Sequence, residues 1–159
     1  MMFIHCIILF MTVNALKTSL KNDVDNELDS ISTQKDCFQV NSLSNWKVEN
    51  KTLTIQGNGY MCHCSDSIWS EEFNFNKIEE IKFTETVKSI GNNCFSIDLN
   101  SILQNVTNIT LTKGLKRIGN GAFRGINIKE ITIPSSVTKI EKNSFANCNK
   151  IERIVFETD

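Results

Sequence analysis

The sequence predicts a solenoid of short, mostly parallel strands, and two recurring phrases and their spacing carry that expectation. Four segments share the frame apolar-x-x-apolar-x-apolar: Ile78–Phe83 (IEEIKF), Val106–Leu111 (VTNITL), Ile128–Ile133 (IKEITI) and Ile151–Phe156 (IERIVF). Their central residues, Ile81, Ile109, Ile131 and Ile154, lie 28, 22 and 23 residues apart. Between them runs a second phrase, VKSIGNNCF from Val87, LKRIGNGAF from Leu115 and VTKIEKNSF from Val137, whose Phe (Phe95, Phe123, Phe145) always falls eight residues after the start. A unit of this size cannot bury its apolar face alone, so neighbours must stack and share one core.

Taken in chain order, residues 1–15 read as a signal peptide. The run Phe3–Val13 is too short for a membrane span, which needs about 20 apolar residues, and Val13-Asn14-Ala15 ends it with a small-residue cleavage pattern. A buried N-terminal strand or a membrane-resting segment is the alternative, because the leader carries no Lys or Arg. Residues 16–45 form a polar lead-in. Leu16, Leu20, Val24, Leu28 and Ile31 would place a narrow apolar stripe on a helix, and a disordered linker is the other reading. Residues 46–77 are an opening module, and residues 78–159 hold about three to four repeats.

Within a repeat, the alternating Ile-x-Ile or Ile-x-Phe is a half-buried strand, on which β-branched residues pack well. The Phe and the small residue before it (Cys94, Ala122, Ser144) fill the opposite wall, and short turns or helical pieces connect the two. The long first spacing puts a loop at about 98–104. The stretch from Ile131 through Pro134, Val137, Ile140, Phe145 and Cys148 to Ile151 resembles the leucine-rich repeat of the BspA-like surface antigens. Leu53-Thr-Ile55-Gln-Gly57-Asn-Gly59-Tyr-Met61, followed by Ile68-Trp69-Ser70, is similar to the opening module of that family. The resemblance implies a secreted or cell-surface leucine-rich repeat solenoid of α/β type. Such a protein binds host, matrix or neighbouring-cell proteins and has no enzymatic activity.

Residues between the buried strand positions face outward. They form a candidate ligand-binding stripe of Lys82, Thr110, Thr132 and Val155, flanked by Glu80, Asn108, Glu130 and Arg153. Strands about 4.8 Å apart give this face a few hundred Å² in all. That is below the roughly 800 Å² per partner of a stable interface, so a monomer is expected to bind weakly and to work through multivalency or self-association. The last strand, Ile154-Val155-Phe156, is a candidate edge for a homo-oligomer, or the mark of a truncated relative of longer proteins. A structural, self-associating surface coat is the alternative function.

The remaining motifs mostly exclude. The 159 residues carry a net charge of -1, which gives no positive field to collect nucleic acid. Beyond the leader no stretch is apolar enough for an integral span. Outside the leader there are five cysteines. Cys94 and Cys148 share registers with Ala122 and Ile126 and read as packing residues, which leaves Cys37 to pair with Cys62 or Cys64 in an oxidising compartment. Cys62-His63-Cys64 has ligand residue types at too close a spacing for a zinc site, and no metal or cofactor is expected. Asn50, Asn105 and Asn108 begin N-glycosylation sequons.

Overall fold

The computed structural model describes residues 37–39, 43–64, 78–98 and 103–158. The chain divides into two units, Met1–Asp36 and Cys37–Asp159, and the described residues belong to the second. The leader expected at 1–15, the apolar stripe expected over 16–31 and part of the loop expected at 98–104 lie outside them.

Among the described residues, eleven strands build two walls around a shared core. The first wall begins with a hairpin of β2 (Trp46–Glu49) and β3 (Thr52–Ile55). Asn50 and Lys51 close it with φ of 47° and 67°, the left-handed pair that a two-residue hairpin loop requires. β3 then pairs in parallel with β5 (Glu80–Phe83), and β5 with β7 (Asn108–Thr110). β9 (Glu130–Ile133) pairs in parallel with β11 (Arg153–Phe156). β7 lies beside β9, yet the two share no ladder. There a side-chain bond, from Asn127 Nδ2 to the Gln104 carbonyl at 2.7 Å, joins the two units.

The second wall is a five-stranded parallel sheet in the order β1 (Cys37–Phe38), β4 (Gly59–Met61), β6 (Val87–Ile90), β8 (Arg117–Ile118) and β10 (Lys139–Ile140). Each unit therefore supplies one strand to each wall. One expectation narrows and one changes. The repeats were expected with short turns or helical pieces, and among the described residues turns predominate, with 3-10 geometry at Leu43–Asn45 and at Leu103. Cys37 and Phe38, placed in a helical or disordered lead-in, instead form an edge strand: Phe38 O receives the Cys62 N–H at 3.0 Å. The opening module also continues the repeats, because Leu53 pairs with Ile81 just as Ile81 pairs with Ile109.

The core lies between the walls. Leu53, Ile81, Ile109 and Ile131 line one side of it, and Ile90 and Ile118 the other. Phe123 stacks on Phe95 at 5.7 Å and on Phe145 at 5.5 Å, while Phe83 meets Phe95 edge-on at 5.4 Å. Offset aromatic pairs at these distances add about 0.5–1.5 kcal/mol each beyond their area burial. The turn before each Phe has one left-handed residue, Asn93 (φ 60°), Gly121 (61°) or Asn143 (58°). Asn and Gly tolerate that region best, which is why this position alternates between them while its neighbours vary. Among the described residues, no helix is long and apolar enough to cross a membrane.

Candidate recognition face

The outward positions of the first wall form two rows. Thr52, Glu80 and Asn108 stand in register along one, followed by Glu130 and Arg153 on the second ladder. Thr54, Lys82 and Thr110 make the other, followed by Thr132 and Val155. Lys82, Asn108, Thr110, Glu130, Thr132 and Arg153 are exposed, while Glu80 and Val155 are half-buried. The stripe read from the sequence thus lies on one wall, but in two segments meeting at the seam between β7 and β9. Thr52 and Thr54 belong to it as well. Their alternation with Leu53 and Ile55 carries the same outward signal as Lys82.

Glu80 is the centre of the first segment. Its Oε1 accepts from Asn108 Nδ2 at 2.7 Å and Thr110 Oγ1 at 3.4 Å. Its Oε2 accepts from Thr52 Oγ1 at 3.0 Å and pairs with Lys82 Nζ at 2.9 Å. Burial works to raise the Glu80 pKa, but the bonds from Lys82, Thr52 and Thr110 and the Lys82 charge outweigh it and hold the carboxyl below its ordinary value. In the second segment Arg153 Nε donates to Glu130 Oε2 at 2.9 Å. Lys47 pairs with Glu49 at 3.1 Å and Lys51 with Glu79 at 2.6 Å nearby. Exposed pairs of this kind contribute little stability, about 0–1 kcal/mol each. Their effect here is to cancel charge locally, so the face offers hydroxyls, amides and paired ions in a fixed register.

Sulfur sits elsewhere, beside the second wall. Disulfides join Cys37 to Cys62 and Cys64 to Cys94, 25 and 30 residues apart in sequence. Cys94, read from the sequence as a packing residue, does fill the buried register of Ala122 and Ser144, but it also bonds Cys64. The missed signal is Cys-x-Cys: residues two apart on extended chain point the same way. Cys62 therefore reaches back one turn while Cys64 reaches forward one. Both thiols of the Cys62-His63-Cys64 cluster are thus taken by disulfides. Cys148 is buried and its Sγ lies 3.2 Å from the Phe123 carbonyl. Of the sequon residues, Asn50 lies in the hairpin turn and Asn105 is exposed, while the Asn108 amide donates to Glu80.

The sequence matches the family model for the BspA type leucine-rich repeat region as six copies, over residues 17–98 and 66–159. The match begins within the stretch read as a polar lead-in. The structure is similar to the crystal structure of a leucine-rich repeat protein from Eubacterium ventriosum, with 21% identity and a TM-score of 0.45; the alignment covers 70% of this chain and 41% of that one. No curated protein matches the sequence. With the family model matched over most of its length, the chain belongs to the BspA type leucine-rich repeat family.

Proposed function

We propose that this protein is a secreted or cell-surface recognition module. In this reading it binds host, matrix or neighbouring-cell proteins through the outward rows of β3, β5, β7, β9 and β11, without catalysis. The observation that carries the reading is the Glu80 cluster, in which four donors from three strands fix one carboxylate on a largely exposed face. A preorganised polar surface loses less entropy on binding than a mobile one. Two disulfides support maturation in an oxidising compartment, and with it export. The paired strands of successive units support a solenoid of three to four repeats on which the opening module stacks as a further unit. Asn50, at the tip of a turn, is the sequon best placed to carry a glycan.

The test is capture of matrix and cell-surface proteins by the full chain displayed in many copies, compared with a variant carrying K82E and T110K. Loss of capture in the variant, with the folded circular dichroism spectrum retained, is the expected result. Equal capture by both proteins removes the face from the mechanism. Self-association as a surface coat is a second reading, and β11 favours it. Among the described residues its ladder runs to β9 alone, and the Ile154 side chain is only half-buried. Light scattering across a concentration series separates the two readings: a monomer at every concentration removes the coat.

A further inference from the structure

Beside the second wall a chain of polar groups passes from unit to unit. His63 Nδ1 lies 3.3 Å from Asn92 Nδ2. Asn92 Oδ1 accepts the Asn120 backbone N–H at 2.9 Å and Arg117 Nη2 at 3.3 Å. The Arg117 guanidinium rests on Glu141 Oε1, at 2.8 Å from Nε and 2.7 Å from Nη2. Glu141 Oε2 in turn accepts the Asn120 N–H at 3.1 Å. The Arg117 and Glu141 side chains are only 14% and 18% exposed, so water competes weakly for the bond between them, while His63 at the end of the chain is exposed.

The donor inventory decides where the protons are. A peptide N–H and a guanidinium can only donate, so the Asn92 atom facing them is its oxygen and its NH2 turns to His63. An amide NH2 accepts nothing, so the ring nitrogen facing it must offer a lone pair. His63 is therefore neutral, with its hydrogen on Nε2. A proton arriving at Nδ1 would set two donors against each other. Relief comes when the Asn92 amide rotates to present its oxygen, which takes that oxygen away from Asn120 and Arg117, or when the ring swings out.

We propose that His63 and Asn92 form a proton-operated latch between the opening module and the repeats, closed while His63 is neutral and opened when Nδ1 takes a proton. The surroundings act mainly in the same sense. Burial and the Arg117 charge disfavour the imidazolium, and the Glu141 carboxylate, the smallest of the three influences, favours it. Lys139 on β10 lies 3.9 Å from Glu141 and offsets part of that charge. The latch also sits at a pinned place, because the disulfides of Cys62 and Cys64 run to either side of His63. With those neighbours tied covalently, protonation acts on the Asn92 amide and on the junction of β6 with β8. A neutral-preferring His stabilises the fold above its ordinary pKa, and that stabilisation is lost as pH falls through the lowered one.

Imidazole nitrogen NMR on the full chain, followed through a pH titration, tests the proposal. The expected result is a lone pair on Nδ1 at neutral pH and a His63 midpoint below the ordinary 6.5, with the Arg117 Nε–H resonance shifting over the same range. In Asn92→Asp the carboxylate accepts from both sides, so the midpoint rises above 6.5 and the hydrogen moves to Nδ1. Should that variant fail to fold, His63→Gln carries the test: its Arg117 resonance should no longer move across that range. A hydrogen on Nδ1 in the unsubstituted protein, or an Arg117 shift that persists unchanged in His63→Gln, overturns the latch.

Discussion

Replacing Cys64 and Cys94 together by Ala separates two accounts of the same buried residue. If Cys94 only packs, Ala is nearly free there, since Ala122 fills the same register with no exposure, and the loss stays under about 1 kcal/mol. The structure instead ties the two residues across a sequence separation of 30. Closing a loop of that length removes unfolded-chain entropy worth about 3.7 kcal/mol at 25 °C on the chain-entropy account. With a denaturant slope of about 1.5 kcal/mol/M, the urea midpoint should fall by about 2.5 M. The measurement is equilibrium unfolding of oxidised protein followed by circular dichroism, with the Cys37–Cys62 bond left intact in the variant. A midpoint shift under about 0.5 M would refute the staple and restore the packing account.

Phe123→Ala should cost about 3–5 kcal/mol and Phe145→Ala less, by urea unfolding, because Phe123 stacks on both Phe95 and Phe145, whereas Phe145 stacks on Phe123. Equal losses would show that stacking adds nothing. Asn143→Ala should cost about 1 kcal/mol through its left-handed φ of 58°, and Asn143→Gly should cost less; the order of the two melting temperatures checks this. The ionised Glu80 contributes stability above its ordinary pKa of 4.5 that is lost as pH falls through the lowered value. Glu80→Gln should therefore flatten the melting temperature in that acidic window, and an unchanged acid limb would count against the cluster.

Much of the first wall was legible in the sequence, because the strands with Ile81, Ile109 and Ile131 inward share one apolar frame, recur 28 and 22 residues apart and alternate cleanly. The outward rows followed from the same alternation. The second wall was not legible as a sheet. Arg117–Ile118 and Lys139–Ile140 are two residues long, too short to show a period, and only stacking on their neighbours makes them strands. Cys37–Phe38 is hidden for the same reason. Cys94 escaped because its register already had a sufficient packing explanation. The His63 latch could not be read at all, since its members come from four units and meet only once those units stack.

The seam between β7 and β9 has a mechanical consequence. The second wall is hydrogen-bonded continuously from β1 to β10, whereas among the described residues the first is laddered on either side of the seam and has no ladder across it. Such a body bends most easily about the unbroken wall, as a strip scored on one side folds along its score. The rung spacing between Thr110 and Thr132 is then the compliant gap of the face. A partner gripping both segments could set its curvature, while one seated wholly on β3, β5 and β7 would meet a rigid plate.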